Sequence, residues 1–194
     1  DIDEFYKHIN IYNILKDINI SIPEIYEISF ENHTIITEDF GDKRYDKILN
    51  KSDIFNLLKL AIDSLIIINN EHKNLLYEKL SKYDFTTFKN EINEFIKYYL
   101  PYKKINNAFN IDFFKIWENS YNNLNIEFNS FVHKDFELTN LVYVPHKKGH
   151  LKCGILDFQN AFIGFSGWDV FSLLENSRIN FFNENNEKFI KFFF

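Results

Sequence analysis

Apolar residues recur at Ile2, Phe5, Ile9 and Tyr12 in the opening stretch DIDEFYKHINIYNILKDIN, the spacing of one helical face. The period then shortens: PEIYEISF and HTIITEDF predict two short strands around a polar turn at Glu31 and Asn32. Gly41 and Asp42 close the second strand, and Ser52 is a suitable N-cap for a long helix reaching Asn70. Asp84 opens a third helix that turns Phe85, Phe88, Ile92, Phe95, Ile96 and Tyr99 inward and stops at Pro101. A fourth covers about 111–124, marked by Phe114, Trp117, Tyr121 and Leu124. From Phe131 the period changes again. FV, LVYV and LKCGILDF read as strands, the last two joined through a turn over 145–150, and a helix resumes from Trp168 to Arg178.

That order predicts an α+β chain without internal repeats. A small mixed lobe (helix plus β-hairpin) over 1–42 ends in a hinge-like GD, and a mainly helical lobe over 43–194 carries a β-hairpin of its own. With 194 residues, 45% of them hydrophobic, the chain can bury a sizeable core. Against 23 Phe the aromatic run Phe158, Phe162, Phe165 and Trp168 reads as core rather than as a platform for a sugar ring. The net charge of -6 argues against a broad grip on nucleic acid or on an anionic membrane, both of which need clustered Lys and Arg. LLKLAIDSLIIINN is interrupted by Lys59, Asp63 and Ser64 and reads as a buried helix, not a membrane span. One cysteine, Cys153, forms no internal disulfide, which suits a reducing cytoplasm. His146, His150 and Cys153 are spaced like metal ligands but offer only three groups on a short turn, so solvated histidines are the better reading. The lack of methionine and the uncapped apolar tail EKFIKFFF lead us to expect a fragment. Nothing in the pattern selects an oligomeric state.

The chemistry gathers in FVHKDFELTNLVYV, where His133, Asp135 and Asn140 sit between two apolar runs. Asp157 ends the strand GILDF, and a hairpin between Asn140 and Asp157 would fold the chain back and set the two side by side. Magnesium takes hard oxygen ligands and one or two protein carboxylates beside phosphate oxygens. An aspartate able to accept a hydroxyl proton, with an amide and a carboxylate for the metal, is the layout of phosphoryl transfer to an alcohol. The plainer alternative is that Asp135 and Asn140 only cap turns. His133, with its accessible pKa, is a second candidate base.

HKDFELTN fits HxDxxxxN, and ILDFQNAFIGFSGWDVFSLLENSR resembles the second motif of the aminoglycoside phosphotransferase and choline kinase group, which has the two-lobed protein-kinase-like fold. TEDFGD and YEKLSKYDFTTFKNEINEFIKYYLP extend the likeness toward bacterial anomeric kinases for N-acetylmuramate and N-acetylglucosamine, enzymes of cell-wall recycling. The resemblance implies an ATP- and Mg2+-dependent kinase with a truncated N-terminal lobe, its glycine-rich strands and phosphate-binding lysine lying upstream of residue 1. Asp135 would be the base, Asn140 and Asp157 the metal ligands, and His133 the motif histidine that braces the catalytic loop. Asp169 would accept hydrogen bonds from the loop backbone, while Thr37, Glu38 and Asp39 fall where the hinge meets adenine. Glu137, Asn160 and Glu175 are candidates for contact with the acceptor, a sugar or amino-alcohol; Asn160 stands where the amino-sugar enzymes commonly have aspartate. Aminoglycoside, choline or homoserine phosphorylation, a silent kinase-like binding module and a magnesium-dependent phosphohydrolase remain the rival readings.

Overall fold

The computed structural model describes residues 1–49, 54–71, 80–105, 110–124, 126–175, 190–191 and 193. Helix α1 (Ile2–Leu15) starts at Asp1, whose carboxylate accepts the Asp3 N–H. Its buried residues are Phe5, Ile11, Ile14 and Leu15, not the predicted stripe, and Ile2 is 54% exposed. The helix serves two partners. Phe5 lies edge-on to Phe30 and His33 of the following hairpin, whereas Ile11, Ile14 and Leu15 enter the main core, so no single face is apolar throughout.

Strands β1 (Ile25–Ser29) and β2 (Thr34–Thr37) pair antiparallel, as expected, with His33 in the left-handed region at the turn. A short turn α2 (Tyr45–Ile48) leads to α3 (Ile54–Glu71), which buries Leu57, Leu58, Ala61, Ile62, Leu65 and Ile68. These recur every three or four residues and form the spine of the core. Ser64, also buried, satisfies its hydroxyl by donating to the Leu60 carbonyl. The proposed cap Ser52 lies outside the described residues. No described helix is long and apolar enough to cross a membrane.

Asp84 caps α4 (Phe85–Glu94) by accepting the Thr87 N–H, as the sequence predicts. The inward face fails further on. Residues Phe95–Tyr99 form a wider π turn, and Phe95 and Tyr99 are 42% and 47% exposed. Pro101 has no N–H to give to the carbonyl four residues back and its ring crowds that carbonyl, so the preceding turn widens. The chain continues helically through α5 (Leu100–Tyr102) with the proline inside it. Helix α6 (Asn110–Asn122) meets α4 through aromatic rings, Phe88 lying 5.5 Å from both Trp117 and Tyr121.

Three short antiparallel pairings complete the fold. Strand β3 (Ser130–Val132) pairs with β6 (Phe162–Gly164), and β4 (Leu141–Tyr143) pairs with β5 (Cys153–Ile155). The β4–β5 hairpin was expected; β6 was not, because FIG between loop residues carries too short a pattern to register. Of the aromatic run read as core, Phe158 and Phe162 are buried, while Phe165 and Trp168 are only partly so. Helix α7 (Trp168–Leu174) buries Val170, Leu173 and Leu174, and Arg178 lies outside the described residues. One buried cluster joins α1, α3, the β4–β5 hairpin and α7, so it runs across the lobe boundary drawn at residue 42.

Phe40, just after β2, is seated on this hairpin through Gly154: a Cβ there would come within 2.5 Å of the Phe40 ring. We expect Gly154→Val to destabilise the protein by about 1–3 kcal/mol, the usual cost of overpacking, read as a lower denaturation midpoint.

Candidate active site

The loop after β3 is held from both sides. Asp169, near the start of α7 and buried, accepts the His133 N–H at 2.7 Å on one carboxylate oxygen and the Lys134 N–H at 3.1 Å on the other. Burial pushes its carboxyl up to about 7 while the two backbone donors pull the other way. The Trp168 indole N–H reaches the Lys134 carbonyl at 3.2 Å. Lys134 itself takes a left-handed backbone, φ +82°, that glycine adopts more readily.

His133 is 1% exposed, and its Nε2 lies 3.0 Å from the Leu156 carbonyl, which makes Nε2 the protonated nitrogen. Its Nδ1 is buried without a partner, and burial draws the ring down to about 4, so it is neutral near pH 7. This burial and the Nε2 bond favour the bracing part of the two considered for His133 over the catalytic one.

Asp135 is half-buried. Its carbonyl accepts the Glu137 N–H at 2.8 Å and the Asn140 side-chain amide at 2.9 Å, which closes the loop into a tight turn. Because Asn140 Nδ2 is engaged there, its Oδ1 remains the atom to face a cation. The Asn140 carbonyl in turn accepts the Leu156 N–H at 2.9 Å. Leu156 thus has its N–H tied to Asn140 and its carbonyl tied to His133, and the next residue is Asp157. Asp157 adopts φ 63°, ψ 37° and is exposed, with one carboxylate oxygen accepting the Gln159 amide at 2.6 Å. Left-handed conformations at non-glycine residues cost on the order of 1–3 kcal/mol each and persist only where surroundings hold them. Here the fixed Leu156 does so.

The β4–β5 register, with Leu141 opposite Ile155, and the bond from the Leu156 N–H to the Asn140 carbonyl bring the backbones of Asn140 and Asp157 near one another, and an amide oxygen with an exposed carboxylate is a donor set of the kind magnesium takes. Among the described residues no three His, Cys, Asp or Glu side chains cluster as a metal site. Cys153 is buried, and His150 Nε2 sits 2.7 Å from the Asn19 carbonyl.

Thr37 shares a cavity of about 440 Å3 with Asp157, Gln159 and His8, between the β1–β2 hairpin and α1. The Glu38 N–H is taken by the Glu24 carbonyl at 2.8 Å, and Asp39 accepts the Gly41 N–H at 2.8 Å, so this segment is rigidly shaped. Glu137 turns its carboxylate to the Thr139 hydroxyl at 2.9 Å within the loop. Asn160 lines a second cavity, of about 430 Å3, together with Lys134 and Gln159. Glu175 stands apart at the C-terminal end of α7, lining an apolar groove with Phe165, Phe171 and Ile190; it joins none of the loop residues there. The residues missed in the sequence are Tyr83 and Glu91. The Tyr83 hydroxyl donates to Glu91 at 2.6 Å, and Lys134 Nζ meets the other Glu91 oxygen at 3.0 Å. Glu91 meets Lys134 across 43 residues of chain, and no local motif signals that.

Removing the Asp169 carboxylate leaves two buried N–H groups unsatisfied, so Asp169→Ala should cost roughly 3 kcal/mol or more in urea unfolding. The two buried titrating groups act with opposite signs. His133, drawn from 6.5 to about 4, contributes stability that is complete above 6.5 and lost as pH falls toward 4. Asp169, raised from 3.8 to about 7, contributes stability present below 3.8 and lost as pH rises through 7. His133→Asn abolishes the first dependence only; its stability relative to the parent should therefore improve between pH 7 and 4.5, measured by denaturant midpoints.

No protein-family model matches the chain. It is 26% identical over 170 residues to the N-acetylmuramate/N-acetylglucosamine kinase of Caulobacter vibrioides, an alignment taking in 82% of this chain and 46% of that protein. The chain thus spans about half the length of this relative. Among solved structures, the ADP-bound aminoglycoside phosphotransferase APH(2'')-Ib matches with a TM-score of 0.66 at 18% identity, over 98% of this chain and 66% of that one. The gentamicin complex of APH(2'')-IIa matches with a TM-score of 0.67 at 19% identity, over 98% of this chain and 65% of that one. The chain has the α+β, protein-kinase-like fold of the aminoglycoside phosphotransferase structures, and in sequence it is similar to the amino-sugar kinase of Caulobacter vibrioides.

Proposed function

We propose that this chain is the catalytic portion of an ATP-dependent small-molecule kinase that phosphorylates a hydroxyl group, foremost the anomeric hydroxyl of N-acetylmuramate or N-acetylglucosamine in cell-wall recycling in the cytoplasm. The observation that carries the reading is the hydrogen-bonded circuit from Asp135 through Asn140 to Leu156, which links the candidate base and both candidate metal ligands in one rigid unit. The amino-sugar acceptor rests on the printed activity of the Caulobacter relative.

Asp135 accepts the proton of the acceptor hydroxyl as its oxygen bonds to the γ-phosphorus; the bond from that phosphorus to the bridging oxygen breaks, and ADP leaves with the electron pair. Asn140 Oδ1 and the Asp157 carboxylate are the groups that would hold Mg2+, which would supply neutralisation of charge on the nucleotide phosphates. The cavity shared by Thr37 and Asp157 is the place for the nucleotide, with Thr37 in its wall and Glu38 and Asp39 following it in the chain as the candidate adenine hinge. His133 and Asp169 hold the loop and touch neither substrate.

In the full-length gene product, Asp135→Asn should fold normally and lose at least about 100-fold in kcat, the lower end of what a positioned base supplies. Turnover close to the parent's would remove Asp135 from the mechanism. Asp157→Ala should abolish the magnesium-dependent part of nucleotide affinity in a calorimetric titration, and unchanged affinity would reject it as a ligand. Labelled ATP offered with N-acetylmuramate, N-acetylglucosamine, kanamycin, choline and homoserine identifies the acceptor; phosphate release without any acceptor would favour hydrolysis.

A further inference from the structure

The 430 Å3 cavity beside the catalytic loop lies within the size range of small-molecule sites, about 300–1,000 Å3. It borders both halves of the candidate site, through Lys134 next to the candidate base and through Gln159, which holds Asp157. Its walls carry three lysines, Lys7, Lys82 and Lys134, against one carboxylate, Glu91, and that carboxylate is held on both oxygens by Tyr83 and Lys134. A polycation would meet this balance unfavourably, and an acid would meet it favourably.

Lys134 is the unusual member. Its backbone conformation favours glycine, yet a lysine stands there with its N–H and carbonyl both fixed, so its ammonium is presented to the cavity from a rigid base. A strained residue retained at a site points to a use for its side chain. Resting on the kinase reading, we propose that this cavity seats the acceptor and that Lys134 is the specificity-determining residue that grips an acidic oxygen of it, favouring a sugar acid over a neutral or polycationic sugar. The Glu91 contact parks the ammonium when no acceptor is present and leaves it within reach of one that enters.

The test is nucleotide-free titration of the full-length gene product with N-acetylmuramate, which carries a carboxylate, with N-acetylglucosamine, which does not, and with kanamycin, a polycation. The parent should bind the acid most tightly. Lys134→Gly, which suits the backbone, should weaken the acid about tenfold, the scale of one charge-assisted hydrogen bond, and the neutral sugar much less. Lys134→Arg should keep most of the preference. Lys82→Gln should reduce it more mildly and serves as the readout if the glycine variant folds poorly. Equal losses for acid and neutral sugar, unchanged binding of the acid, or preferred binding of kanamycin would each overturn the assignment. Tight, Lys134-dependent binding of the acid without phosphate transfer from ATP would instead sink the kinase reading and leave this one standing.

Discussion

A single buried carboxylate organises the candidate site. Asp169 receives two successive backbone N–H groups, at His133 and Lys134, and so fixes the direction in which the chain enters the loop. Leaving those donors without a partner in the interior costs more than the bonds themselves gain, so the geometry is specified by the penalty for any other arrangement. The rest follows in sequence: His133 is turned back onto Leu156, Leu156 is clamped at both of its backbone groups, and Asp157 is pushed into a left-handed conformation that exposes its carboxylate. The polar groups that look catalytic in the sequence are thus of two kinds, those that shape the loop and those that the shaped loop presents.

Much of this was legible because the loop is local. The β4–β5 hairpin follows from strand periodicity, and with it the return of the chain from Asn140 to Leu156, whose N–H meets the Asn140 carbonyl. The cap at Asp84 was equally plain, since an aspartate before a helical run signals its own role. The errors have different causes. On α1 the expected stripe assumed one partner, while the helix has two, and the apolar positions divide between them. Beyond Glu94 the inward face assumed a constant 3.6-residue turn, which Pro101 breaks. Strand β6 has only three residues and gains its stability from β3, a partner thirty residues away in the chain. Glu91 and Tyr83 escaped notice because their meaning lies in a contact with Lys134 that no periodicity encodes.

The Glu91–Lys134 contact also changes the standing of α4. Both side chains are a little over a third exposed, so the pair by itself adds little stability, less than about 1 kcal/mol at such sites. Its importance is positional. The helix also meets the rest of the chain through aromatic contacts with α6, through Phe88 on the cluster of Tyr83, Val132 and Phe162, and through the Tyr83–Glu91 bond. A charged link to the loop gives α4 a defined register against the proposed base, and on the reading advanced here it also makes the helix a wall of the acceptor cavity.

Phe40 on Gly154 has a mechanical consequence. The ring follows the β1–β2 hairpin and sits against the strand that delivers Asp157, with the Lys147 ammonium 4.5 Å from the ring centroid on the Val144 side of the same hairpin. The ring fills the space over Gly154 so completely that a single added carbon would collide with it, so the segment after β2 and the strand leading to Asp157 cannot slide past one another independently.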